Sequence, residues 1–302
     1  MADSSSMQYT WREPLVAGAL ALRQRALIRP SEWILIAYFV HSAALALWRG
    51  IPLPQQLLAL AMPVVIWLLA SLETKNSVPW SSVTRDWLPL GLVLFGYLQV
   101  NWFAGSPMDE WQRTWVRLDR AILDGWGLRT MVESTGWWGP SLLEGCYLLT
   151  YAVPAICLGV IHWHGRRGRN DRFLRVFLLG TLGTYALLPY FPSVAPRLAF
   201  PGMDLPTVIV PLHQLNLWIL GHFDIQTSVF PSGHVAAACA AAFGLWRAIP
   251  ERRWLSGLAF LQVALVLAAI IVGRYHYAVD GMAGVGVSVL AFVVVEAMSS
   301  AG

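Results

Sequence analysis

The sequence predicts an all-α, polytopic transmembrane helical bundle with about eight spans and a further helix resting on its outer surface. Three observations carry that expectation. Hydrophobic residues make up 57% of the 302-residue chain and charged residues 13%, with a mean hydropathy of +0.55. A soluble domain carries about a quarter charged residues, so this chain has too few to cover a water-facing exterior. Apolar runs approaching the roughly 20 residues that cross a bilayer core of about 30 Å recur along the chain. Its 16 tryptophans suit the membrane–water boundary, where indole rings settle.

The expected spans, in order, are Trp33 to Trp48, Gln55 to Leu72, Trp87 to Ala104, Ser141 to Trp163, Phe173 to Phe191, Ser232 to Ala248, Trp254 to Val272 and His276 to Ala297. Pro63 and Pro154 fall inside the second and fourth runs, and kinks are expected there. In lipid such breaks survive only where neighbouring groups satisfy the freed carbonyls. The first thirty residues hold an apolar run too short for a secretory signal; a helix lying along the inner membrane surface is expected instead. Residues 105–140, with MDEWQRTWVRLDRAILDGWG, read as the outer surface helix, and residues 192–230 as a proline-rich connection. Connections of that length in a compact protein are often functional.

Charge orients the bundle. With the N-terminus in the cytoplasm, Arg12, Arg23, Arg25, Arg29, Lys75, Arg85, Arg166, Arg167, Arg169, Arg172, Arg175, Arg247, Arg252 and Arg253 fall inside. Arg49, Arg113, Arg117, Arg120, Arg129, Arg197 and Arg274 fall outside, half as many. The HGRRGRNDR stretch is the strongest single vote. The chain is therefore expected to be a multi-pass protein of the cell membrane.

Several classes are disfavoured. The arginines punctuate apolar segments rather than cluster on one face, which argues against a nucleic-acid partner. Cys146, Cys157 and Cys239 lie in apolar stretches without metal or redox spacing and read as small buried hydrophobes. No internal repeat supports a repeat-built transporter.

Two short segments carry chemistry. In Phe230-Pro231-Ser232-Gly233-His234 a proline starts a helix, and Gly233 allows a ligand close to the backbone. The free N–H groups of the first turn, with the helix dipole, form an anion site through Ser232 and Gly233. His234 stands in that turn, where it could protonate a departing oxygen. In Gly273-Arg274-Tyr275-His276-Tyr277-Ala278-Val279-Asp280 the histidine and aspartate are four apart and share a helix face. A carboxylate on one imidazole nitrogen fixes the tautomer and leaves the other as a nucleophile. An acid inside a span is a functional hypothesis by default. The charge-derived topology brings both segments to the same, outer face.

PSGH followed at distance by His-x3-Asp resembles the second and third motifs of the type 2 phosphatidic acid phosphatase superfamily, over roughly residues 105 to 290. RYHYAVD and the upstream APR are more similar to its inositol-phosphorylceramide-synthase branch. The resemblance implies that His276 attacks phosphorus, Asp280 orients it and His234 protonates the leaving group. It divides the chain into an N-terminal segment with three added spans, residues 1–104, and a catalytic helical bundle, residues 105–302. The family's first motif, Lys-x6-Arg-Pro, has no match: Lys75 lies on the wrong side, and the nearest substitute is Arg197, which could clamp a phosphate. Arg274 precedes His276 by two residues instead of the usual five; it is retained as a phosphate ligand.

The expected function is cleavage of lipid phosphate esters at the outer membrane face through a phosphohistidine. Transfer to an acceptor such as a polyol, as in the synthase branch, is the alternative. A proton-coupled lipid transporter or scramblase is the non-enzyme alternative; charges gathered at one face disfavour it. The expected partners are a lipid phosphate and membrane lipids, and no cofactor or metal is expected, because an anion nest is not what a zinc triad requires. Glu144 is expected to face the bundle and pair with an arginine. Asp109, Glu110, Asp119, His213, His222 and Asp224 are expected to be solvated or headgroup-facing, and His162 and His164 to lie on the inner side, away from the site.

Overall fold

The computed structural model describes residues 28–76, 79–225 and 227–300. The expected inner-surface helix and Arg12, Arg23 and Arg25 lie outside them. Within them the chain folds into helices joined by turns: α1 (Pro30–Trp48), α2 (Leu53–Asn76), α3 (Pro79–Val100), α4 (Asp109–Arg120), α5 (Leu128–Glu133), α6 (Trp138–Leu149), α7 (Val153–Trp163), α8 (Asn170–Leu187), α9 (Pro196–Ala199), α10 (Pro211–Phe223), α11 (Gly233–Ala248), α12 (Arg253–Val272) and α13 (Ala278–Ser300).

All eight apolar runs are helical. By length and composition, α1, α2, α8, α12 and α13 can cross a membrane, and the α6–α7 pair makes a sixth if it is one broken span. The α11 helix, at 16 residues, and α3, which carries Arg85 and Asp86 near its start, fall outside that count. The fourth run breaks as Pro154 requires. A proline is tolerated in the first turn of a helix but not in its interior, so α6 ends at Leu149, α7 restarts with Pro154 in its first turn, and the two are bent by 71°. Pro63 sits within α2, which continues through it.

The centre of the bundle is α8, packed on α11, α13, α1 and α3. Lipid tails are as apolar as leucine, so spans associate through close packing of small residues and interhelical hydrogen bonds. A Cβ on Gly180 would come within 2.7 Å of Ala240 Cβ, and one on Gly244 within 2.8 Å of the Phe173 ring. The alanine-rich α11 approaches α13 in the same way. A Cβ on Gly284 would lie 2.7 Å from the Ser232 carbonyl, and Ser288 Oγ donates to the Ala236 carbonyl at 2.9 Å. Leu35, Phe39, Leu92 and Val93 of the first helices share one buried cluster with Phe173, Phe177 and Leu245.

Ion pairs follow the charge-derived partition. Arg85 grips Glu32 through two contacts, Nε to Oε1 at 2.6 Å and Nη2 to Oε2 at 2.5 Å. Asp86 accepts from Arg29 at 2.7 Å and from Arg167 at 2.6 Å, and Glu251 takes Arg166 and Arg169. All these arginines belong to the set read as inner. From the other set, Arg274 pairs with Asp119 and Arg120 with Asp204.

Candidate active site

The two chemical segments meet where α11 and α13 begin. Ser232, extended at φ −68° and ψ 112°, is the N-cap of α11, and its Oγ accepts the Val235 N–H at 3.4 Å. Its own N–H donates to the Asp280 carbonyl at 2.9 Å, which ties one segment to the other. The Ser232 side chain is buried and spent on the cap. Gly233 lies against Tyr185, whose ring a Cβ would meet at 2.9 Å. His234 projects from the first turn, its Nε2 3.0 Å from the Tyr151 hydroxyl and its ring 5.0 Å from that of Tyr147. The His234 and His276 ring centroids are 5.7 Å apart, at 62° to each other.

His276 stands in the turn between α12 and α13. The chain reverses sharply there: Arg274 adopts φ +58°, and the N–H groups of Tyr275 and His276 both return to the Ile270 carbonyl. The helix starts only at Ala278, so His276 and Asp280 do not share a regular helix face as their spacing suggests. They still meet. Asp280 Oδ2 accepts the Tyr277 N–H at 2.9 Å and lies 3.4 Å from His276 Nδ1. The closer partner of Nδ1 is the Val229 carbonyl, at 3.0 Å. A carbonyl only accepts, so Nδ1 carries the proton and Nε2 keeps its lone pair. The tautomer is thus set chiefly by a backbone oxygen, with the carboxylate behind it.

Arg274 and Asp119 hold the turn from beneath. The Arg274 side chain is buried, and Nη1 donates to Asp119 Oδ2 at 2.7 Å. Asp119 Oδ1 accepts the Ala278 N–H at 2.8 Å and so caps α13. Burial pushes the Asp119 carboxyl up, to about 6, while that N–H and the Arg274 guanidinium pull it back. The expectation that Asp119 is solvated is corrected: α4 lies over the turn, stacking Trp115 on Phe230 with centroids 5.1 Å apart, and this buries its inward face.

Arg197, on α9, reaches the same turn. Its backbone N–H donates to the Arg274 carbonyl at 3.3 Å and Nη1 to the Tyr275 carbonyl at 3.4 Å. The guanidinium lies 5.7 Å over the Tyr275 ring, within cation–π range. Its Nη2 is 3.8 Å from Asp224 Oδ2, and Asp224 also accepts a short hydrogen bond from the Tyr97 hydroxyl of α3. Asp224 is half-buried at this junction and is not the solvated carboxylate expected.

A second polar cluster also departs from the expectation. Glu144 pairs with His213 at 2.8 Å, not with an arginine, and accepts from Asn216 at 2.7 Å and from the Tyr275 hydroxyl at 2.6 Å. His213 is buried, because α10 packs across α6 and carries His213 and Asn216 inward. The Tyr275 ring stacks on Tyr147 at 4.3 Å, and Tyr147 in turn faces His234. Asp109, Glu110 and His222 are exposed as expected. His162 bonds Asn170 at 2.6 Å on the other side of the bundle.

Of the residues singled out from sequence, His234, His276 and Asp280 come together directly, Arg197 joins them through the turn that carries His276, and Ser232, Gly233 and Arg274 belong to the two backbone segments that position them. Sequence reading missed Val229, Asp119 and Tyr151. A backbone carbonyl leaves no sequence signal. Glu144, Tyr147 and Tyr151 do leave one, a polar set at i, i+3 and i+7 within a single apolar run, although Tyr151 lies just past the end of α6.

The architecture is that of an all-α membrane bundle with paired histidines at the ends of two helices. The family model of the PAP2 superfamily matches residues 115–294, more than half of the chain, and the chain belongs to that superfamily. Members of that superfamily are generally phosphatases or phosphotransferases, and membership supports an enzyme of that kind. Neither a curated protein nor a solved structure matches it.

Proposed function

We propose that the protein is a membrane phosphatase that cleaves lipid phosphate esters at the extracytoplasmic face through a phosphohistidine. The observation that carries the reading is the Val229 carbonyl 3.0 Å from His276 Nδ1, with the second imidazole, that of His234, 5.7 Å away between ring centroids. In the first step Nε2 attacks phosphorus and a P–N bond forms. The P–O bond to the lipid breaks, and protonated His234 gives its proton to the leaving oxygen. In the second step water attacks phosphorus and passes a proton to His234, the P–N bond breaks, and phosphate departs.

Asp280 balances the charge that develops on His276. Arg197 and the first-turn N–H groups of α11 take the phosphoryl oxygens, the positioning and charge neutralisation on which phosphoryl transfer depends. We assign Arg274 to holding the turn, since its Nη1 bonds Asp119 and its side chain is fully buried. The test is incubation of purified protein with a panel of lipid phosphates, with and without polyol acceptors, analysing both products. Inorganic phosphate and the dephosphorylated lipid are the expected products. A phosphorylated polyol in place of free phosphate would make the enzyme a transferase, and turnover of no member would overturn the reading.

A further inference from the structure

A cavity of about 290 Å³ opens on His234 and runs down into the bundle between α3, α7, α8 and α11. Its upper end carries polar groups, among them His234, Tyr151 and Tyr97, whereas its lower part is walled by Leu90, Val93, Ala155, Phe177 and Ala237. From Tyr185 to Phe177 along its α8 wall is eight residues, about 12 Å of helix. Leu94 and Tyr151 at its edge are exposed, so the cavity opens sideways, where lipid would stand. A site with polar groups at one end and a dry apolar body fits an amphiphile held by its head. Its volume is at the small end of ligand pockets, roughly 300–1,000 Å³, and suits one chain rather than two.

The α3 wall has a separate significance. Leu90, Val93, Leu94 and Tyr97 precede residue 115, where the superfamily match begins. The same helix reaches the site through Tyr97, which bonds Asp224 beside Arg197. Tyr38 of α1 donates to the Gly96 carbonyl at 2.7 Å and fixes α3 in place.

We infer that this cavity receives a single hydrocarbon chain of the substrate and that α3, from outside the family segment, sets how long that chain can be. The inference rests on the phosphatase reading, because it places the phosphate at His234 and the tail below it. Ala155 on α7 and Leu90 on α3 both line the cavity and point to two opposed variants. Ala155→Phe shortens the space, and Leu90→Ala lengthens it on the α3 side.

The experiment measures phosphate release from monomeric n-alkyl phosphates of increasing length by purified protein. In the wild type kcat/KM should rise about fourfold per methylene, the factor that corresponds to ~0.8 kcal/mol of burial, and then level off. The plateau should come at a shorter chain in Ala155→Phe and at a longer one in Leu90→Ala. A long-chain alkyl phosphate with a terminal photoreactive diazirine should label the wild type within residues 90–97. An unmoved plateau in both variants, or labelling confined to other helices, overturns the inference. If no alkyl phosphate is hydrolysed, the phosphatase reading fails, and the labelled position alone decides whether the cavity takes a chain.

Discussion

At the scale of single residues, the assignment gives the two histidines different tasks, and different substrates separate them. A general acid matters in proportion to how poor the leaving group is. A lipid alkoxide needs a proton, whereas nitrophenolate hardly does. His234→Ala is expected to lower turnover of a lipid phosphate by about 10²-fold or more, a usual scale for acid–base catalysis, and that of an aryl phosphate far less. His276→Ala removes the nucleophile and should cripple both alike. Asp280→Asn should fall between, because the Val229 carbonyl still holds Nδ1–H while the charge support is lost. The comparison is made at saturating substrate, where lost affinity does not pass for lost chemistry. An equal loss on both substrates in His234→Ala, with aryl turnover spared in His276→Ala, would reverse the assignment.

Among the elements, the turn between α12 and α13 is the one the site depends on, and the Arg274–Asp119 pair sets it. Breaking a buried ion pair from one side costs about 3–5 kcal/mol, whereas replacing both partners with apolar groups is often nearly neutral. Arg274→Met and Asp119→Leu should each lower the melting temperature of the detergent-solubilised protein, and the double variant should recover most of the loss. If Arg274 instead binds phosphate, Arg274→Met would raise KM with little change in Tm. The broken α6–α7 span matters for a related reason. The restart at Pro154 leaves Tyr151 at the bend, within reach of His234.

For the whole molecule, the partition of arginines proposes a direction. The inner set of ion pairs and the histidine pair stand on different sides of the bundle, so the site faces away from the cytoplasm if the positive-inside rule holds. A cysteine introduced at Gly202 should react with an impermeant reagent in intact cells, and one at Gly168 only after permeabilisation. The opposite labelling would move the substrate to the cytoplasmic leaflet. Nucleophilic attack by His276 requires no divalent ion, so phosphate release should persist in EDTA. Loss on chelation with rescue by one metal would replace the phosphohistidine with metal-assisted hydrolysis.

Composition and apolar runs were enough to determine an all-α membrane bundle, because lipid leaves the backbone few ways to satisfy its hydrogen bonds. Each of the eight runs is mostly helical for that reason, the fourth as two helices bent at Pro154. PSGH and His-x3-Asp were legible because their chemistry depends on residue type at short spacing, and Pro154 marked its break because proline acts locally. Partners far apart in sequence could not be read this way. The Val229 carbonyl at His276, Asp119 beneath Arg274, His213 against Glu144 and Tyr97 of α3 against Asp224 are separated by 47, 155, 69 and 127 residues. Each is decided by which helices come to lie together. That choice depends on packing across the whole bundle, and only the folded bundle displays its outcome.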